Sequence, residues 1–496
     1  MSSVLEPIFE GANSGARGVA TPITVAPGDG IGPEITEAVL QILQAAGAQI
    51  APEFVEVGER VYRSGNTSGI PEEAWASIDR TGVLLKGPIT TPQGGGYKSL
   101  NVTMRKTLGL YANVRPCRSW KPVVSSRHPD MDVVIIRENE EDLYAGIEHR
   151  QTEDVAQCLK LITRKGSERI IRYAFEYART QNRQRVTCMV KDNIMKITDG
   201  LFHRVFEEVA AEYPQIETNV QIIDFGMANF VHRPESYDVI VLPNLYGDIL
   251  SDVAAQMTGS VGMGGSINIG NGGALFEAIH GSAPDLARNV ANPSGLLLAG
   301  VEMLRHIGQH DVAARVMNAW LVTLEDGVHT VDIASEQTKQ KVGTREFAAA
   351  VIARLDRVPE SFTAAEATAA AEPMRLPHTR ETVVEAAEKK LVGVDVFVDW
   401  RQGSTEQLAT ALQAATPANG LKLVMITNRG VKVWPQGNPK TLCTDHWRCR
   451  FQGEDVSHAQ VVALLGAVAA AGLDFIKTEH LYTFDGQAGY SLGQGQ

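Results

Sequence analysis

The chain has 496 residues, 44% hydrophobic and 21% charged, which suits a globular protein of about three domains. Its 46 Lys+Arg against 58 Asp+Glu leave a formal net charge of −12, which argues against a general nucleic-acid binder, since that function needs a basic face. No apolar run reaches the ~20 residues of a bilayer span, and the N-terminus shows no apolar or Arg-rich leader. The five cysteines (Cys117, Cys158, Cys188, Cys443, Cys449) are odd in number and scattered, so a reducing cytoplasm is expected, without nucleic-acid or membrane partners.

In chain order, the first seventeen residues are small and polar and are expected to fray. Pro22 to Ala26 reads as a buried strand that runs through GDGIGPE into an amphipathic helix, Ile35 to Ala46. Further strands are expected at Val83–Lys86, Val133–Arg137, Val186–Val190 and Val239–Leu242, with helices at Arg169–Thr180 and Gly200–Glu212 between them. Short apolar strands alternating with helices imply an α/β fold with a helix-covered sheet. Residues 358–376, rich in Ala, Glu and Thr between prolines, read as a linker. Residues 377–496 then read as a separate small α+β domain: strand Val392–Trp400, helix Thr405–Ala414, a hairpin around Asn428-Arg429-Gly430, strand Trp447–Phe451 and helix Ser457–Ala471. This domain carries no catalytic constellation, and assembly is its expected role. Cys443, His446 and Cys449 are close in sequence but lack a second ligand pair, which disfavours a metal there.

Several segments carry chemistry. The glycines of GDGIGPE stand at 28, 30 and 32, which is not the G-x-G-x-x-G spacing, so a tight strand-to-helix turn is the expected role. Gly94–Gly96 read as a flexible loop ahead of Ser99, Asn101 and Arg105; the i, i+4 spacing puts Asn101 and Arg105 on one helix face, with Ser99 at the start. With Arg115 and Arg137 these are either solvated surface groups or a carboxylate clamp, for which the guanidinium fork is suited. Tyr144, after the run Arg137 to Asp142, is either a packing residue or a phenolic proton donor. Lys191 follows a strand, where functional groups of α/β sheets gather. Asp248 and Asp252 align two carboxylates on one helix face, an unfavourable pairing that a Mg²⁺ or Mn²⁺ ion relieves; a helix N-terminal pair facing the macrodipole is the alternative. His280 to Asp285 is a small-residue loop that lets a ligand approach the backbone.

Together and in this order, these segments resemble the β-decarboxylating dehydrogenases, the isocitrate/isopropylmalate dehydrogenase family, over roughly residues 20–355. The motif Ser99-Leu100-Asn101 with Arg105 resembles that of the isocitrate-oxidising members, in particular the bacterial form with an extra C-terminal domain. The resemblance implies a two-domain α/β fold that is not a Rossmann fold: residues 1–110 and 259–357 as a large cofactor-binding domain, 111–143 and 164–258 as a small substrate, metal and dimerisation domain, and 144–163 as a clasp-like insertion. It implies oxidative decarboxylation of isocitrate to 2-oxoglutarate in the tricarboxylic acid cycle. Homoisocitrate or isopropylmalate oxidation, or a non-catalytic regulatory subunit, are the alternatives. By the same resemblance Ser99, Asn101, Arg105, Arg115 and Arg137 bind substrate, Tyr144 and Lys191 are catalytic, and Asp224, Asp248 and Asp252 hold Mg²⁺ or Mn²⁺. The lysine and the first aspartate reach across a homodimer, possible higher assembly being left to the C-terminal domain.

Cofactor binding is then expected from Thr90, His280, Gly281, Ser282, Ala283, Pro284, Asp285, Leu286 and Asn292, in a loop one residue shorter than the family's usual one. NADP-using relatives place Lys-Tyr after the proline; Asp285 and Leu286 stand there. An acidic residue accepts from the adenosine ribose hydroxyls and repels a 2′-phosphate. NAD is therefore expected as the cofactor, with NADP as the alternative.

Overall fold

The computed structural model describes residues 20–91, 99–367, 374 and 386–493. The expected frayed N-terminus, the Gly94–Gly96 loop and linker residues 368–373 and 375–376 lie outside the described residues. The chain forms two compact units, Met1–Tyr144 with Leu161–Thr379, and Ala145–Lys160 with Arg380–Gln496.

In the first unit the strands are β1 (Thr21–Ala26), β2 (Ile50–Phe54), β3 (Val83–Lys86), β4 (Ala112–Arg118) and β5 (Asp132–Glu138). After β6 (Glu148–Arg150) and β7 (Ala156–Cys158), which belong to the second unit, come β8 (Arg185–Val190), β9 (Glu217–Ile222), β10 (Val239–Leu242), β11 (Gly265–Gly270) and β12 (Gly273–Ala278). Ten of these make one sheet, in the order β2-β1-β3-β12-β11-β4-β5-β10-β8-β9. The strands expected from apolar runs are all present, and they lie in two parallel wings. The centre is antiparallel, β12 to β11, β11 to β4 and β4 to β5. Those central strands carry Asn113, Arg115, Asn268 and Glu277 among their buried residues, so they do not read as apolar runs. A short parallel pair, β13 (Val328–His329) and β14 (Gln340–Lys341), lies apart from this sheet.

Helices bury apolar faces on the sheet: Ile35, Val39 and Ile42 of Gly32–Ala45 join Leu296, Leu297 and Trp320 in one core. Pro33 sits in the first turn of its helix, where a missing N–H costs nothing. The helix expected from Arg169 begins earlier, at Arg164, because the Thr163 hydroxyl caps it by accepting from the Gly166 N–H. No described helix is long and apolar enough to cross a membrane.

The C-terminal part of the second unit contains β15 (Lys389–Asp399), β16 (Lys422–Asn428), β17 (Val431–Trp434), β18 (His446–Gln452), β19 (Asp474–Phe484) and β20 (Gln487–Ala488), in the order β17-β16-β18-β15-β19-β20. Two helices, Thr405–Ala415 and His458–Ala470, each open with a Ser-x-x-Gln capping box, Ser404/Gln407 and Ser457/Gln460. Val394, Val396 and Val398 of β15 meet Leu408, Leu412, Leu464 and Val468 of these helices. The small domain is thus α+β, as expected. Its β16–β17 turn is the expected one: Arg429 and Gly430 both have positive φ, as a tight hairpin turn needs. Among the described residues no disulfide joins the five cysteines, and no group of three or more His, Cys, Asp or Glu side chains stands ready to hold a metal.

Candidate active site

Three arginines and two aspartates meet where β4, β5 and two helices converge. Arg105 stands on the helix Leu100–Thr107, which Ser99 caps by accepting from the Val102 N–H. Arg115 lies on β4 and Arg137 near the end of β5, and all three side chains are buried. A buried guanidinium must be paired. Arg115 donates to Asn113 (2.7 Å), to Ser251 (2.6 Å) and, at 3.4 Å, to Asp252. Arg137 donates twice to the Asn244 Oδ1 (3.0 and 2.8 Å) and also to Asp248. Gly247 in the same helix lets this close approach occur, since a Cβ there would meet the Arg137 side chain at 2.6 Å.

Tyr144 leans on Arg137, whose guanidinium carbon is 4.9 Å from the ring centroid, and its hydroxyl donates to the Asp248 carboxylate. Burial raises the Tyr144 pKa, and the Arg137 charge opposes that rise. For Asp248 burial acts upward, yet Arg137 and Arg115 hold it below the ordinary carboxylate range. Asp252, one turn on, shifts the other way through burial and the neighbouring Asp248.

Beneath Arg105 lies a buried ionic knot that sequence reasoning missed. Glu277 of β12 accepts from Arg105 (2.8 Å), Asn268 (2.9 Å) and Lys86 (2.8 Å). Burial alone would raise its pKa, but Lys86 and Arg105 hold it far below the ordinary range. The available signal was a single charge closing each of two apolar strands, VLLK and ALFEA, since a charge is buried only when paired. Two polar atoms beside this knot are buried without a partner among the described residues, Asn101 Oδ1 and Arg105 Nε. Buried groups left open in this way fit a ligand that completes them.

Lys191 and Asp224 form a second, separate cluster. The Lys191 ammonium is 2.7 Å from Asp224, and that contact lowers the Asp224 pKa. The Lys191 N–H donates to buried Asp199, which also accepts from the Tyr246 hydroxyl. Asp224 is 68% exposed. The expected trio of aspartates therefore does not converge within one copy: Asp248 and Asp252 share a helix, and Asp224 stands with Lys191. The chemistry of the donors still fits a hard cation, with two carboxylates one turn apart and Asp252 open to solvent.

The expected cofactor residues split by role. Thr90 and Ser282 share a hydroxyl hydrogen bond at 2.8 Å, and the Ser282 carbonyl accepts from Ile31. Gly30 has positive φ, and a Cβ on it would lie 2.0 Å from that carbonyl. The glycines of GDGIGPE are thus needed for backbone contact, as the turn reading expects. His280 has its Nε2 buried and without a partner among the described residues, and burial lowers its pKa. Asn292 is buried and donates to Asp332 (3.0 Å). Gly281, Ala283, Pro284, Asp285 and Leu286 form the exposed stretch between them.

Comparison with known proteins places this geometry. A family profile described as isocitrate/isopropylmalate dehydrogenase matches residues 22–351, and one described as the C-terminal domain of bacterial isocitrate dehydrogenase matches residues 389–496. The chain is 53% identical over 482 residues to an "isocitrate dehydrogenase [NADP]" of Rickettsia felis, covering 96% of this chain and 99% of that one. It is 44% identical over 483 residues, 96% of each chain, to a protein of the same name from Thermus thermophilus. A solved structure, that of the TT0538 protein from Thermus thermophilus, superposes with a TM-score of 0.90, covering 96% of both chains at 44% identity. The fold is the two-domain α/β fold of this family with the extra α+β domain, as expected.

These relatives overturn one expectation. The stretch Asp285-Leu286 predicts NAD, yet the close full-length relatives bear NADP in their names. The structure supplies the physical reason. Asp285 is exposed, so its repulsion of a phosphate is closer to ~1 kcal/mol at 4 Å in water than to the ~4 kcal/mol of a partly shielded pair. Arg288, equally exposed three residues later, brings the opposite charge. The NAD-dependent reading of the activity and of the loop falls with it.

Proposed function

The chain belongs to the isocitrate/isopropylmalate dehydrogenase family, and on that premise we propose that it converts isocitrate to 2-oxoglutarate and CO2 with NADP as oxidant, in the cytoplasm. The observation that carries the reading is the buried cluster of Arg105, Arg115 and Arg137 beside the open Asn101 Oδ1. Three guanidinium groups suit a tricarboxylate, and Ser99 with Asn101 offers polar atoms where an isopropyl group would need an apolar surface. Five cysteines with no disulfide among the described residues support a reducing compartment.

Arg105, Arg115 and Arg137 bind and orient the carboxylates. Lys191 assists removal of the C2 hydroxyl proton, and Tyr144 delivers a proton to C3 once the β-carboxylate has left. Asp248, which accepts from the Tyr144 hydroxyl, orients that donor. Asp248 and Asp252, with Asp224 of a second copy, would hold Mg²⁺ or Mn²⁺. The cation would supply charge stabilisation to the C2 oxygen and to the enolate. NADP would supply the hydride acceptor; Thr90, Ser282 and Asn292 would hold its loop, and Arg288 would offer a positive charge to its 2′-phosphate.

The site needs two copies, because Lys191 and Asp224 lie apart from the arginine cluster. Exposed Ile194, Phe225 and Ile249 are near neighbours in sequence of Lys191, Asp224 and Asp248. Apolar side chains flanking charged functional groups suit a homodimer interface. The test is turnover of isocitrate, homoisocitrate and 3-isopropylmalate by the purified chain with Mg²⁺ or Mn²⁺ and either nicotinamide cofactor. Isocitrate with NADP is expected to give the highest kcat/KM. Preference for 3-isopropylmalate, or activity that persists in a chelator, would overturn the assignment.

A further inference from the structure

The chain leaves the first unit immediately after Tyr144 and returns at Leu161, so the phenol stands at the root of the hairpin made by β6 and β7. The root is tied: the Asp142 N–H donates to the Leu161 carbonyl (2.8 Å), and the Leu159 N–H to the Ile147 carbonyl (3.0 Å). Beyond it the hairpin has no core of its own, for every residue of its two three-residue strands is exposed or half-exposed. A lone two-stranded hairpin is at best marginal in water.

What holds it is the C-terminal domain. Thr152, buried at the tip, donates its hydroxyl to the Asp445 carboxylate at 2.5 Å, and the Asp154 N–H reaches the other oxygen at 3.4 Å. Asp445 is itself buried and pairs with Arg401 at 3.3 Å. On β7, the Gln157 side-chain oxygen accepts from the Lys477 ammonium at 3.0 Å. That ammonium lies 4.9 Å from the Phe397 ring centroid, and the Phe397 ring packs on His446. Phe397 alternates along β15 with Val396 and Val398, so the hairpin meets the sheet face opposite the two helices.

We propose that the C-terminal domain is the template on which this hairpin folds, and that Thr152, Gln157, Asp445 and Lys477 are thereby positioning residues for Tyr144. A hairpin pinned at its tip and along one strand keeps its root in one conformation, which fixes the phenol over C3 of the substrate. The inference rests on the proton-donor reading of Tyr144 given above. In the step concerned the enolate takes the phenol proton: one C3–H bond forms, the Tyr144 O–H bond breaks, the C2 carbonyl re-forms, and solvent reprotonates the phenolate. A phenol out of place leaves the enolate to be protonated by solvent from either face.

The experiment uses the full-length chain turning over isocitrate in D2O, reading kcat, KM and the stereochemical purity of deuterium at C3 of 2-oxoglutarate. Thr152→Val removes the hydroxyl at constant shape and is expected to lower kcat about 5–20-fold with KM within twofold, and to scramble the C3 label. Thr152→Ser is expected to restore both, and Lys477→Met to repeat the Thr152→Val pattern more weakly. In a Tyr144→Phe background Thr152→Val is expected to add nothing, because both act on one proton transfer. An unchanged label in Tyr144→Phe would sink the donor assignment itself. A scrambled label in Tyr144→Phe but an intact one in Thr152→Val and Lys477→Met would sink only the coupling, as would independent, multiplying losses in the double variant.

Discussion

The arginine cluster and the Lys191–Asp224 pair bear charges of the same kind, yet they are built on opposite plans. Around Arg137 the guanidinium groups are buried, and those of Arg137 and Arg115 are held by neutral acceptors, Asn244 and Ser251. Such groups are oriented before substrate arrives, and their desolvation is met within the fold. Lys191 and Asp224 instead pair with the carboxylate at the surface, where an ion pair contributes little to stability, and exposed Ile194 and Phe225 are their neighbours in sequence. One half of the site is finished by folding, and in the proposed homodimer the other half is finished by association.

Complementation breaks that comparison most sharply. Tyr144→Phe and Lys191→Met are each expected to lose 100-fold or more in kcat as homodimers. Mixed by co-refolding at equal amounts, they are expected to recover about a quarter of the native activity, because half of the dimers are hybrids with one intact site each. No recovery would mean that each site is made by one chain.

Glu277→Gln tests the finished half. It leaves Lys86 and Arg105 buried without a counter-charge, and unfolding in urea is expected to show a loss of about 3–5 kcal/mol at pH 7. The folded-state pKa of Glu277 is depressed, so its stabilisation is complete above the unfolded value near 4.3 and is lost as pH falls through the lower folded value. The gap between native protein and variant is therefore expected to close only below about pH 4. Asp224→Asn probes the other half: activity should fall steeply while the urea unfolding midpoint at low protein concentration stays where it is in the native protein.

The smallest effect concerns Glu138, buried beside Arg137, where burial and the nearby Glu141 push the carboxyl up to about 8. A raised carboxyl costs stability as pH climbs from the unfolded value toward the folded one. Glu138→Gln is expected to raise Tm by a few degrees at pH 8 and not at pH 4.5, measured by calorimetry.

The two halves also differ in how legible they were. Asp248 and Asp252 announce themselves by an i, i+4 spacing that is unfavourable without a cation, and Ser99 by its capping position. Gly28 and Gly30 are legible because φ > 0 leaves few alternatives. Lys86, Glu277, Asn113 and Asn244 are not, because what gives them meaning is contact across strands and helices far apart in sequence. The antiparallel centre of the sheet was hidden for the same reason: its strands carry polar groups that pair inside the core, which breaks the apolar runs by which strands are read. Asp285 misled in the opposite direction. Its charge is plain in the sequence, but its exposure, which decides how strongly that charge acts, is not.

The seam between β3 and β12 has a consequence for biosynthesis. Leu84 and Leu85 are buried between β1 and β12, and their β12 neighbours Leu275 and Phe276 lie about 190 residues later. During translation at about 5–20 residues per second, roughly 10–40 s pass before that neighbour emerges. For that interval a strand reading Val-Leu-Leu presents an open edge and an apolar surface, the kind of template on which nascent chains join one another. The ribosome-bound intermediate, rather than the finished enzyme, is where this molecule is most exposed to aggregation and most in need of a chaperone.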